Sequence, residues 1–185
     1  VPKNHKRKFF CLVCFIFFLI FLKTFIVDIK RVSGTSMEPS LKNGDYVLVF
    51  KAAYGVKHPF KNRYVLRRAM PKVEDIIVYR KDGRFTVKRC LGIPQEPIEF
   101  SKKLGYNGFY DYSMKVSGKD IPLTAVQFAN LGGMLRGVSS MKEVYRIPAG
   151  TVLAVGDNLD ASWDSRDYGF VLVDGIYGKV VVWEK

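Results

Sequence analysis

Phe9 to Leu22 is an unbroken apolar run, and after Lys23 it continues through Phe25, Ile26 and Val27. Such a stretch has to be buried in protein or in lipid, which restricts the fold more than any other feature of the chain. As a helix, Phe9–Val27 extends roughly 28 Å, enough to cross a hydrocarbon core of about 30 Å. Its flanks separate the alternatives. A cleaved signal sequence calls for small residues after the apolar stretch, and Phe25-Ile26-Val27-Asp28-Ile29 supplies none. A buried core helix does not suit a segment that follows directly on Lys3, Lys6, Arg7 and Lys8. The sequence therefore predicts an uncleaved membrane anchor over 9–27, with Lys23 extending its ammonium to the headgroups. A basic tail over 1–8 precedes it, and a folded domain over 28–185 follows. Cys11 and Cys14, one helical turn apart, read as small packing residues of the span.

The tail's basic residues favour a cytoplasmic N-terminus, and Lys30 and Arg31 on the far side weaken that bias without reversing it. The domain over 28–185 is thus expected outside the cytoplasm. The net charge of +13 is unevenly spread. Residues 1–31 hold seven basic residues and one acid, residues 51–72 hold seven basic residues and no acid, and the remainder balances. That distribution excludes a nucleic-acid-reading domain, whose basic residues would line one face of the fold. The loop 51–72, with Tyr54, Phe60 and Tyr64 interleaved, has two readings: a surface for anionic headgroups, or a solvated insertion. Two histidines rule out a site built from several imidazoles, and three cysteines cannot build a disulfide framework.

After the anchor the sequence reads as short strands. Asp45–Phe50, Asp75–Arg80, Phe85–Leu91, Thr151–Val155 and Lys179–Trp183 are rich in β-branched and aromatic residues. Asp82-Gly83 between the second and third is a tight-turn signal, because a hairpin turn needs positive φ there. The predicted fold is mostly β: an antiparallel sheet core behind one transmembrane helix. Residues 101–142 show little periodicity, beyond a short helix within 122–137 limited by Gly132-Gly133. This argues for an irregular insertion within 95–145.

Chemistry is suggested by three segments. Ser36 sits in the bend Ser33-Gly34-Thr35-Ser36-Met37-Glu38-Pro39-Ser40-Leu41, shortly past the anchor. A serine hydroxyl needs an adjacent base to act as a nucleophile. His58 precedes Pro59 in the basic loop and has no evident orienting acid, but a lysine deprived of water can serve. Lys88 lies mid-strand in Phe85-Thr86-Val87-Lys88-Arg89-Cys90-Leu91, with Thr86 and Cys90 on its face. The bland alternative is an edge-strand lysine that blocks aggregation. The third segment, Gly156 to Gly169, is a polar loop in which Ser162 could aim the lysine nitrogen while Asp164 and Arg166 brace the loop.

Together, Ser36–Leu41, Val87–Pro94 and Gly156–Arg166, in this order behind an anchor, resemble the motifs of the type I signal peptidases, membrane-bound serine proteases with a Ser/Lys dyad. Lys51-Ala52-Ala53-Tyr54-Gly55 is similar to the family's loop after the first strand. The resemblance implies that Ser36 attacks the scissile carbonyl, that neutral Lys88 takes its proton, and that Ser162 holds Lys88 by a hydrogen bond. It implies that the Ser36 N–H stabilises the oxyanion, and that Val32, Met37, Leu41 and Val87 wall the pocket for the residue before the cut. It implies neither metal nor cofactor. The implied partners are preproteins with small residues before the cut and the lipid bilayer, with the protein single-pass in a bacterial cytoplasmic membrane. Gly34 stands where some members have an oxyanion serine, Leu159 and Ala161 where many have Arg and Asn, and Cys90 where an aliphatic residue is usual. Two other readings use the same residues: a peptidase dedicated to one secreted subunit such as a pilin, and an inactive membrane-anchored scaffold.

Overall fold

The computed structural model describes residues 3–58, 64–106, 108–135 and 144–181. Helix α1 (Lys3–Phe21) carries the apolar run and passes into one wider π-type turn, Leu22–Ile26. Arg7–Ile26 is the one stretch among the described residues long and apolar enough to cross a membrane, and none of it is buried against protein. Cys11 and Cys14 are exposed on it. The helix ends where β-branched residues begin to pair. Val27 is extended, at φ −133° and ψ 153°, and opens strand β1 (Val27–Arg31) at the residue expected to end the anchor.

Strand β2 (Tyr46–Phe50) buries Val47 and Val49 and exposes Tyr46 and Phe50, the period of a sheet wet on one face. A 3₁₀ turn (Lys51–Tyr54) leads to a two-stranded ribbon, β3 (Gly55–Lys57) and β4 (Tyr64–Arg67). The segment read as a basic loop is therefore built into the fold. Lys51 and Tyr54 are buried, the Tyr54 hydroxyl donates to Asp75 Oδ2 at 2.8 Å, and Arg67 pairs with Asp174. Phe60, Lys61 and Arg63 lie outside the described residues.

Strand β5 (Ile76–Lys81) buries four consecutive residues, Ile76 to Tyr79, as an interior strand covered on both faces does. Asp82 and Gly83, with φ of 49° and 77°, turn it into β6 (Arg84–Gly92) in register Lys81↔Arg84. The segment after β6 is more regular than expected. It forms β7 (Pro97–Leu104), β8 (Tyr110–Val116), β9 (Lys119–Leu123), helix α2 (Ala125–Met134) and β10 (Val144–Arg146), whose strands make a four-stranded antiparallel sheet ordered β10-β7-β8-β9. Ile98, Phe100, Met114, Val116 and Ile121 alternate along its strands and share one core with Leu91, Leu153 and Val155 of the main sheet. Thr124 and Gln127 close a reciprocal capping box on α2, which accommodates Gly132-Gly133. The chain then returns through β11 (Thr151–Val155), the single-turn α3 (Ser165–Tyr168), β12 (Val171–Leu172) and β13 (Ile176–Val181); Val182 and Trp183 of the predicted last strand lie outside the described residues. The main sheet is antiparallel and ordered β1-β2-β13-β5-β6-β11-β12. Lys88 lies on β6, paired with β5 on one side and just short of the β11 pairing on the other, and at 4% exposed it is not the solvated edge lysine of the bland alternative.

Candidate active site

The bend after β1 is held from both sides. Val32 N donates to Asp45 O at 2.8 Å, Gly34 N to the Asn43 side chain at 3.1 Å, and Leu41 N to Met37 O at 2.8 Å. Met37 and Val32 are buried beneath it, which leaves Ser36 half-exposed at the crest. From β6, the Lys88 side chain, only 4% exposed, reaches the bend and places Nζ 2.6 Å from Ser36 Oγ. Burial lowers the pKa of this amine from the ordinary lysine value. The nearby Asp164 carboxylate opposes that shift and the Arg166 guanidinium adds to it. A neutral amine at hydrogen-bond distance can accept the hydroxyl proton. Both groups line one cavity of about 300 Å³, together with Val32, Met37, Val78 and Val87. Leu41, expected in its wall, lies in the core behind it, packed with Met37 and Val32. Thr86 lines the cavity with Lys88, whereas Cys90 belongs to a separate core. His58 does not line it.

The loop after β11 packs directly on the bend. Asn158 N donates to Ser36 O at 3.1 Å, and Gly156 lies so close that a Cβ there would stand 2.5 Å from the same oxygen. Asp164 organises this loop. Its fully buried carboxylate accepts from Gly156 N (2.9 Å), Ser162 Oγ (2.5 Å), and Arg166 N, Nε and Nη2 (3.0 Å each). Arg166 Nη2 also reaches the carbonyls of Leu159 and Ser162. The bracing expected of Asp164 and Arg166 is thus present as contacts. The expected Ser162–Lys88 hydrogen bond is not: the Ser162 hydroxyl is given to Asp164, the stronger, charged acceptor two residues away.

One residue that sequence reasoning left without a role ties the three segments together. Arg89 makes a two-pronged bond to Asp157 (2.7 Å each), reaches Ser40 Oγ at 3.1 Å and Glu74 O at 3.2 Å. Neighbouring Lys88, it holds the lysine strand against both the serine bend and the loop. The only signal the sequence carried for it was a basic residue next to Lys88 and an acid in the distant Gly156-Asp157-Asn158. Among the described residues, no cluster of His, Cys, Asp and Glu is arranged to hold a metal ion.

Known proteins resemble this chain over most of its length. Signal peptidase I of Bacillus caldolyticus is 32% identical over 166 residues, which cover 86% of this chain and 80% of that protein. Signal peptidase IB of Staphylococcus aureus is 30% identical over 88% of this chain and 80% of its own length. Signal peptidase I of Buchnera aphidicola subsp. Schizaphis graminum is 23% identical over 90% and 71%. The family described as signal peptidase, peptidase S26, matches residues 5–183. With nearly its whole length matched, the chain belongs to that family and is a peptidase hydrolase of the type I signal peptidase kind.

Proposed function

We propose that this chain removes N-terminal signal peptides from exported preproteins at a membrane surface, with Ser36 as nucleophile and Lys88 as general base. The observation that carries the reading is the 2.6 Å approach of Lys88 Nζ to Ser36 Oγ at the wall of one cavity. Ser36 Oγ attacks the scissile carbonyl carbon as its proton passes to Lys88 Nζ. The developing oxyanion is met by the Ser36 N–H, a preorganised donor worth about 3 kcal/mol when lost, and Gly34 adds no hydroxyl. Lys88 then gives the proton to the departing amine, and the acyl-enzyme is hydrolysed by water, which Lys88 deprotonates in turn. Asp164 and Arg166 hold the loop that supports the bend, and Ser162 lies within it.

Specificity follows from the cavity. Val32, Met37 and Val87 narrow it to a volume that suits small side chains before the cut. Strand β11 pairs with β6 only over Arg89–Gly92, so the run Phe85–Lys88 keeps a free edge on that side. A substrate can add there as an extended strand. Residues 9–27 serve as the anchor, 1–8 as a cytoplasmic tail and 28–185 as an extracytoplasmic domain carrying 95–145 as its insertion. The membrane is the bacterial cytoplasmic membrane. The test uses the full chain in detergent with a preprotein. Ser36→Ala and Lys88→Met each reduce cleavage by about 10⁴-fold or more while the chain stays folded. Retained cleavage by either variant overturns the assignment.

A further inference from the structure

The last turn of a helix leaves carbonyls without intrahelical partners, which water or a side chain has to satisfy. Here the π-type turn at Leu22–Ile26 closes with Val27 N donating to Leu22 O, which leaves the carbonyls of Lys23 and Thr24 beyond it. Both accept from Lys51 Nζ, the one to Thr24 at 2.7 Å. The register Val27↔Phe50 explains how this lysine arrives there, because the residue after Phe50 falls beneath the end of the helix. Lysines beside membranes ordinarily extend their ammonium into water. Lys51 does the opposite, being 8% exposed, and its charge sits at the negative end of the helix dipole.

The contact continues toward the cleft. Lys51 Nζ stands 5.6 Å from the Tyr177 ring. The Tyr177 hydroxyl donates to Asp28 Oδ2 at 2.8 Å, and Lys30 Nζ pairs with the same oxygen at 2.9 Å. Lys30 lies 4.2 Å over the Phe85 ring, which packs on Tyr177 at 4.8 Å between centroids. Lys30 and Phe85 both line the cavity that holds Ser36 and Lys88. An unbroken run of charged and aromatic contacts thus joins the end of the anchor to the wall of the cleft.

We propose that Lys51 is a positioning residue that braces the anchor against the catalytic sheet and fixes the height of the cleft above the bilayer. The enzyme then selects the bond to cut by its distance from the membrane as well as by the side chains beside it. This rests on the reading of the chain as a signal peptidase. β1 alone joins the anchor to the sheet through the backbone of Val27; Lys51 is the lateral support that stops the joint from swivelling.

The test places the full chain in vesicles of phosphatidylethanolamine and phosphatidylglycerol. It uses preproteins whose spacer between apolar segment and cut is lengthened or shortened stepwise. Rates and cut positions are read by mass spectrometry, with a short soluble peptide in detergent as the comparison. The wild type is expected to lose about tenfold or more in rate away from the best spacer, since a small misplacement of the reacting bond is costly. Lys51→Met flattens that dependence and uses additional cut positions, Lys51→Arg restores the wild-type profile, and the peptide rate is unchanged in both. Lys51→Gln, which keeps a donor but no charge, falls between them and covers the case in which Lys51→Met does not fold. A Lys51→Met or Lys51→Gln profile that superposes on the wild type overturns the proposal, as does an equal loss on peptide and preprotein. A wild type that cuts no preprotein overturns the peptidase reading instead.

Discussion

Removal of the Asp164 carboxylate is the sharpest perturbation of the active-site loop. In Asp164→Ala, Arg166 stays buried, its side chain 3% exposed, and keeps only the carbonyls of Leu159 and Ser162 as acceptors. Breaking a buried ion pair from one side costs about 3–5 kcal/mol, because a charge is left without its partner. Gly156 N and Ser162 Oγ also lose their acceptor, and the serine can turn to another. A loss of about 3–5 kcal/mol is therefore expected, which for a chain of this size lowers Tm by roughly 6–20 °C. Thermal and urea unfolding of the full chain in detergent, followed by the fluorescence of Trp163 in the same loop, measures it. A double-mutant cycle with Arg166→Leu separates the pair from its surroundings. The doubly apolar variant should lose less than the two single losses combined, by about 2 kcal/mol, since neither charge is then stranded. An Asp164→Ala loss below about 1 kcal/mol, or strict additivity in the cycle, would show that this pair does not fasten the loop.

Other outcomes follow from the same geometry. Burial lowers the Lys88 pKa from 10.5, so activity should rise about tenfold per pH unit and level off below the pH at which an ordinary lysine would lose its proton. Asp164 raises that pKa, so Asp164→Asn should move the acid limb to lower pH, measured as kcat/KM against pH. In Gly156→Ala the new Cβ would meet Ser162 Oγ at 2.2 Å and Ser36 O at 2.5 Å, so the bend must shift; kcat should fall about 10²-fold with little change in KM. Val87→Phe fills the cavity and should lower kcat/KM by about tenfold or more on peptides with alanine before the cut.

What the sequence made legible differs by element. The anchor needed only a length and two flanks, and the β5–β6 hairpin only Asp82-Gly83 between two β-branched runs. Lys88 could be singled out as a lysine in the middle of the strand Phe85–Leu91, but that it is buried there rather than solvated at an edge took the folded sheet to show. Contacts decided by tertiary geometry were beyond reach. Ser162 had Lys88 and Asp164 as possible partners, and only the folded loop shows that the carboxylate takes its hydroxyl. Lys51 counted as one more charge in a basic stretch, since the strand register that brings it under the helix is invisible to composition. The insertion hid its sheet because Ser101, Lys102 and Lys103 interrupt the apolar alternation of β7 after Phe100.

The chain leaves the main sheet after Gly92 and re-enters it at Thr151, and Gly92 pairs with Leu153. The two points of departure and return are thus one strand spacing apart, so the intervening lobe can vary in length without reordering the main sheet. It is not a free passenger, though. Leu91, Leu153 and Val155 complete their packing within that lobe, so a version trimmed to a short turn would need polar replacements at these three positions to stay dispersed in solution.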